Sequence, residues 1–161
     1  MLLLLYIYLS LISSGVNVKI MVQIETSSYE ETIEYAKKLG SVLKGGEVIA
    51  YFGGLGMGKT TFTSGLCEGM GITAEVSSPT FALVNEYGNN KKLYHFDMYR
   101  ISTFDDLCST GFFDYLDSSA VLAIEWSENI LSALPENTVY VDISQGGNAD
   151  ERIIKVSGGV F

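Results

Sequence analysis

The segment Gly53-Gly54-Leu55-Gly56-Met57-Gly58-Lys59-Thr60 constrains this chain more than any other. It matches G-x-x-x-x-G-K-[S/T], the phosphate-binding loop pattern. Before it lies Val48–Phe52, a run apolar on both faces that reads as a central, covered strand. After it, residues 59–70 read as a helix stopped by Gly71. Strand, tight turn and helix in that order are the context the pattern requires. A triphosphate packs several negative charges close together. Main-chain N–H groups surround it only where the chain curls tightly, with positive φ and no Cβ in the way, and glycine supplies both. The following helix aims its free N–H groups and the positive end of its dipole at the same place. Gly53, Gly56, Met57, Gly58, Lys59, Thr60 and Thr61 are therefore the candidate nucleotide-binding residues. Lys59 offers a mobile charge to the β- and γ-phosphates, and the Thr60 hydroxyl suits Mg²⁺, which prefers oxygen ligands. The dinucleotide pattern G-x-G-x-x-G is absent here, since Lys59 falls where its third glycine would be.

Such a loop needs an acid at the end of a neighbouring buried strand, to complete the Mg²⁺ site and order water. Two runs end in a carboxylate: Val121-Leu122-Ala123-Ile124-Glu125 and Leu93-Tyr94-His95-Phe96-Asp97. Glu125 and Asp97 are thus candidates for one metal-holding and one water- or switch-coupling role. Arg100 either stabilises transition-state charge or pairs with a carboxylate. His95 reads as a structural or partner-facing residue, and Trp126 as a core residue or an interface anchor. Cys67 and Cys108 carry no metal or nucleophile pattern and read as small buried hydrophobes.

The rest of the chain interleaves helices and strands. Residues 18–24 suggest a strand, and Ser27-Ser28-Tyr29-Glu30 a capping box that opens a helix ending at Lys44-Gly45-Gly46. Residues 81–87 and 92–96 suggest strands joined by a turn at Gly88-Asn89-Asn90. Short helical pieces follow at 103–107 and 112–116, then a buried strand at 121–124. A last hairpin has strands 138–143 and 152–156 around Gly146-Gly147-Asn148. The expected class is α/β, a three-layer P-loop NTPase-like fold whose mixed sheet has a parallel centre and antiparallel hairpins. Residues 21–161 are expected to form one such domain.

Residues 1–12 are apolar or aromatic except Ser10. Twelve residues make about 18 Å of helix against a hydrocarbon core of about 30 Å, so stable membrane insertion is not expected. No Lys or Arg precedes the stretch, as an export signal would require. Three readings remain: a start codon assigned about twenty residues early, favoured by the ordinary sequence that opens at Met21, then a membrane-associating tail, and last export. Residues 1–20 are accordingly expected to be a hydrophobic extension outside the native fold.

Composition narrows the function. The net charge is −9, with 8 Lys and 2 Arg, a poor basis for binding nucleic acid unaided. Two cysteines exclude a disulfide framework and a four-cysteine zinc site. A self-sufficient small-molecule kinase would need several cations and a lid around the moving phosphoryl group, which two arginines do not provide. A signalling GTPase would need an N-K-x-D stretch, and there is none. A kinase and a non-catalytic nucleotide-binding module remain the alternative readings.

GGLGMGKTTF, SSPTFALVNEY, YHFDMYR and IEWSE, in this order and spacing, resemble the TsaE (YjeE) family. The resemblance runs from about residue 23 to 156. It implies a small cytoplasmic P-loop ATPase that binds ATP and Mg²⁺ and is required for threonylcarbamoyladenosine modification of tRNA. It further implies two partners, TsaB and TsaD, with tRNA held only through the complex, TsaD transferring the threonylcarbamoyl group and ATP hydrolysis supporting repeated turnover. By position, Thr60 and Glu125 match the magnesium-associated residues, and Asp97 matches the acid of the HFDLYR motif. Thr80 lies in a second switch-like stretch, Trp126 follows the metal-site Glu, and Ser27 lies near the base. The family usually reads GDLGAGKT, so Gly54 and Met57 depart from it. The first removes a polar group at the loop tip, and the second requires the Met57 side chain to point away from the nucleotide.

Overall fold

The computed structural model describes residues 6–7 and 21–159. One eight-stranded sheet comprises β1 (Tyr6–Ile7), β2 (Met21–Thr26), β3 (Val48–Phe52), β4 (Val84–Tyr87), β5 (Leu93–Asp97), β6 (Val121–Glu125), β7 (Val139–Gln145) and β8 (Arg152–Gly158). Their order is β1-β2-β8-β7-β3-β6-β5-β4. β7, β3, β6 and β5 run parallel; β1, β2, β8 and β4 add antiparallel edges. This is the mixed sheet the sequence leads one to expect. β3, and β6 as far as Ile124, are apolar on both faces because helices cover both faces.

Helices α1 (Tyr29–Val42) and α2 (Lys59–Gly69) pack together on one side. Phe62 and Leu66 of α2 meet Ile49, Tyr51, Val141 and Ile154 of the sheet in the core beneath them. Small residues let the two helices approach closely: a Cβ on Gly40 would strike the Leu66 carbonyl, and one on Gly65 the Ile33 carbonyl and the Ala36 methyl. The opposite face carries α3 (Phe104–Ser109), α4 (Phe112–Leu116) and a 3-10 helix (Ser127–Ala133) over Val48, Phe96, Leu122 and Ile124. Three layers result, as the alternation of elements requires. Among the described residues no helix is long and apolar enough to cross a membrane.

Local chemistry sets the element ends. Thr103 caps α3, with Asp106 returning the bond in a capping box. The start of α1 lies one residue later than the sequence suggests. Ser28, not Ser27, is the cap and accepts from the Glu31 N–H, while the Glu31 carboxylate accepts from the Ser27 N–H. Two adjacent serines followed by two adjacent glutamates permit either register. The strand expected from residue 81 begins only at Val84, because Pro79–Leu83 is a turn in which the Ala82 and Leu83 N–H groups bond the Pro79 carbonyl. Phe81 is 93% exposed there. The 3-10 helix after β6 lacks the apolar periodicity that would reveal it. Cys67 is buried, and burial pushes its thiol up to about 12. Cys108 is exposed, contrary to expectation, since α3 covers the sheet with Leu107 and turns its neighbour outward. The strand expected at 18–24 is seen from Met21. Of the extension at 1–20, residues 1–5 and 8–20 lie outside the described residues, and the backbone of Tyr6–Ile7 pairs with β2.

Phe62 is fully buried between the Tyr35 and Tyr51 rings, edge to face at centroid distances of 6.2 and 5.8 Å. Phe62→Ala is expected to cost about 3–5 kcal/mol of unfolding free energy in urea titration. A cost below about 1 kcal/mol would place the ring outside the core.

Candidate phosphate-binding site

Alternation along the strands selects which side chains meet. In β5 and β6, residues 93, 95 and 97 and residues 121, 123 and 125 share one face with period two. That face is the one α1 and α2 cover, because Leu93, Val121 and Ala123 belong to its core. Asp97 and Glu125 are register partners at the carboxyl ends of adjacent parallel strands. β3 ends beside them and runs into the loop at 53–58. Gly53, Gly56 and Gly58 take φ of 128°, 74° and 101°, which side-chain-bearing residues rarely adopt. A Cβ on Gly53 would also strike the Ile143 carbonyl. The loop thus has the curl that its glycines predict, and Lys59 opens α2 at its end. Thr60 and Thr61 form the first turn with it. The Met57 side chain packs on the core, as a methionine at this place must if the loop is to hold an anion.

The Lys59 ammonium is nearly out of water. Its Nζ donates to the carbonyls of Gly53 and Gly54, both at 2.8 Å, and lies 5.0 Å from the centre of the Trp126 ring. Two carbonyls and a π face replace its hydration. Next to it the Thr60 hydroxyl donates to Glu125 Oε1 at 2.9 Å. His95, with no exposed surface, places Nε2 2.9 Å from the same oxygen. An ionised carboxylate only accepts, so Nε2 carries the hydrogen, and Nδ1 is buried without a partner among the described residues. Burial alone would raise the Glu125 carboxyl. The His95 hydrogen bond and charge, the Thr60 hydroxyl and the Lys59 ammonium outweigh it and hold the group below its ordinary value of 4.5.

Asp97 faces the other way in hydrogen bonding. Its Oδ2 accepts from the Thr80 hydroxyl at 2.7 Å and its Oδ1 from the Tyr99 N–H at 2.9 Å. It therefore joins the turn at 78–83 to the segment after β5. Trp126 is half-buried and packs on Tyr99, with ring centroids 5.0 Å apart. Leu83 and Trp126 have φ of 70° and 57°, the positive-φ residues other than glycine among those described. Both flank the acids, where backbone strain of this kind concentrates. Arg100 is exposed, and no ion pair among the described residues includes it, so the carboxylate pairing weighed for it is not formed. Ser27, with its side chain left free by the shifted cap, lines a cleft with Glu25, Thr26, Gly146, Glu151 and Arg152.

The structure gathers Lys59, Thr60, Glu125, Asp97, Thr80 and Trp126 at one edge of the sheet. His95 belongs with them, through Glu125. Period-two alternation reveals this, since His95 shares the face of Asp97. Arg152 also reaches the loop, donating from Nε to the Met57 carbonyl at 3.0 Å. A lone arginine at the start of a late strand gives no sequence signal of that contact.

Among the described residues no three His, Cys, Asp or Glu side chains cluster as a metal cage. The donor set instead comprises a hydroxyl and a carboxylate 2.9 Å apart at a helix N-terminus. It fits Mg²⁺, which keeps waters and takes substrate phosphate oxygens to fill its shell.

A glycine-rich turn between a buried parallel strand and a helix, with an acid closing the next strand, makes the molecule a P-loop NTPase-like α/β protein. Comparison with known proteins narrows the class. The family model "Threonylcarbamoyl adenosine biosynthesis protein TsaE" matches residues 26–154, and the chain belongs to that family. The tRNA threonylcarbamoyladenosine biosynthesis protein TsaE of Bacillus subtilis is 40% identical over 130 residues, covering 80% of each chain. Its counterpart in Treponema pallidum is 37% identical over 116 residues, covering 72% of this chain and 86% of that protein. The crystal structure of Bacillus subtilis YdiB superposes with a TM-score of 0.71 at 32% identity, covering 90% of each chain. Fold and family together imply nucleotide binding.

The depressed Glu125 value has a measurable consequence. Its ionised form contributes stability that is fully present above the ordinary carboxyl value and is lost as pH falls through the folded one. Urea unfolding at pH 6 and at pH 3.5 is expected to show a larger loss of stability for the native chain than for Glu125→Gln. Equal losses would mean that the carboxylate gains nothing from His95, Thr60 and Lys59.

Proposed function

We propose that this chain binds ATP with Mg²⁺ and hydrolyses it slowly to ADP and phosphate, in support of threonylcarbamoyladenosine formation in tRNA. The observation that carries the reading is the Thr60–Glu125 hydrogen bond beside Lys59. It places a hydroxyl, a carboxylate and an ammonium where the loop amides would hold a triphosphate. In this reading Lys59 leaves the Gly53 and Gly54 carbonyls and pairs with the β- and γ-phosphates. The amides of Gly56, Met57, Gly58, Lys59, Thr60 and Thr61 hold the phosphate oxygens. Thr60 and Glu125 hold Mg²⁺, which when bound neutralises charge on the β- and γ-phosphates. Glu125 arrives already ionised, with His95 fixing one of its oxygens. Ser27 and its cleft lie toward the nucleoside.

Asp97 has a separate task. Because it holds Thr80 on one oxygen and Tyr99 on the other, movement at the γ-phosphate is transmitted to the turn at 78–83 and to the segment carrying Arg100. These are the surfaces through which nucleotide state would be reported to partners. The proposed partners are TsaB and TsaD, TsaD being the transferase. The names of the relatives and the family model support a place in this pathway. A charge of −9 supports tRNA being held by the partners and not by this chain. The proposed part in tRNA modification supports a cytoplasmic protein.

Slow turnover follows from the cation count. Arg152 is spent on carbonyls and Arg100 points to solvent, which leaves Lys59 to face the γ-phosphate. Lys59→Ala is expected to lower kcat/KM for ATP by about 10²–10³, the range seen when one preorganised donor is removed, while a cooperative unfolding transition is retained. Glu125→Ala is expected to weaken Mg²⁺-dependent hydrolysis far more than ATP binding. Equal loss of both would take the metal role away from Glu125. Reconstitution with TsaB, TsaD, tRNA and an activated threonylcarbamoyl donor should sustain many turnovers only when this chain and ATP are present. The same yield without the chain would refute the reading.

A further inference from the structure

Arg152 opens β8 and lies behind the phosphate loop. Its Nε–H donates to the Met57 carbonyl at 3.0 Å, and Nη2 lies 3.5 Å from the Gly56 carbonyl. Its Nη1 donates to the carbonyls of Ala149 at 2.7 Å and Glu151 at 2.8 Å. A rigid fork of N–H donors usually meets carboxylate or phosphate. Here all of these contacts go to main-chain oxygens, two on the loop and two on the β7–β8 hairpin.

The consequence lies in the peptide geometry. The Gly56 carbonyl and the Met57 N–H belong to one peptide unit, and the Met57 carbonyl and the Gly58 N–H to the next. In a trans peptide these bonds point in opposite directions, and no cis bond occurs among the described residues. Drawing both oxygens toward the guanidinium turns both N–H groups away from it. The tip needs such a hold. Leu55 is 87% exposed, and a Cβ on Gly54 or Gly56 would meet nothing within 4 Å. Besides the Arg152 contacts, the Met57 side chain packs on the core and the Met57 N–H donates to the Gly54 carbonyl at 3.4 Å, while the glycines make disorder of the rest entropically favourable.

We propose that Arg152 is a positioning residue for the phosphate cradle. It fixes the two peptide planes that aim the Met57 and Gly58 amides, and it ties the loop tip to the hairpin lining the Ser27 cleft. The inference extends the nucleotide reading and rests on it for its purpose, but not for its geometry.

The test separates the two. Hydrogen exchange is measured on the ligand-free full chain and its R152A and R152K variants. The Met57 amide, which donates to the Gly54 carbonyl, is expected to exchange about tenfold faster in both, through loss of the charge-assisted bond that holds its peptide plane, while amides in β3 and mid-α2 stay protected and report an intact fold. R152K keeps the stem and charge, so it answers the question even if R152A is poorly folded. Unchanged loop exchange would overturn the proposal. Affinity for inorganic tripolyphosphate and for ATP should then fall by the same factor, about tenfold. A fall for ATP alone would overturn it too, because the arginine would then be reading the nucleoside. If the unaltered chain bound neither compound, the nucleotide reading would fail, while the exchange data would still decide whether Arg152 orders the loop.

Discussion

An ammonium group almost removed from water must be compensated at once, and the site is arranged around that requirement. Lys59 is held by two carbonyls of its own loop and by the Trp126 ring. Each compensating group is weaker than a phosphate would be, so the arrangement is stable without being committed. Glu125 completes the balance of charge. It tolerates burial because His95 and Thr60 donate to it and Lys59 lies nearby. The cation and the carboxylate are therefore coupled, and a ligand that draws Lys59 away changes what Glu125 requires. A divalent cation arriving with the phosphates would meet that need.

The sheet makes the convergence possible. Parallel strands end at the same edge, so β3, β5 and β6 deliver the loop, Asp97 and Glu125 together. Period-two alternation then sends 95, 97 and 125 toward α2 and leaves Phe96 and Ile124 to the opposite core. The two acids have different partners. Glu125 looks inward to the loop; Asp97 looks outward to Thr80 and Tyr99. One constellation thus faces the glycine-rich loop and its neighbour the exposed turn at 78–83, with Trp126 packed between Lys59 and Tyr99.

Much of this was legible before the structure. The loop announces itself because phosphate chemistry demands glycine at fixed spacing, and a strand ending in Glu125 announces itself because four apolar residues stop abruptly at a charge. The three-layer sheet follows from the alternation of elements. Other features depend on contacts between residues far apart in the chain. The buried role of His95 was available from strand parity but concealed by the commoner fate of a histidine in a strand. Arg152 lies 95 positions from Met57 and has no local pattern to mark it. The cap of α1 slipped by one because Ser27-Ser28 and Glu30-Glu31 offer equivalent registers, and only tertiary packing selects between them. Leu83 and Trp126 adopt left-handed backbone that their residue types disfavour, which no propensity could foresee.

The central claim is that main-chain amides at the start of α2 grip polyphosphate. It is tested most directly by following the backbone amide resonances of the full chain in ¹H–¹⁵N spectra as ATP is added with magnesium. The account predicts that the largest saturable shifts fall on Gly56, Met57, Gly58, Lys59, Thr60 and Thr61, with smaller ones at Glu125 and Trp126. Shifts confined to other surfaces, or no saturable change at those amides, would contradict it.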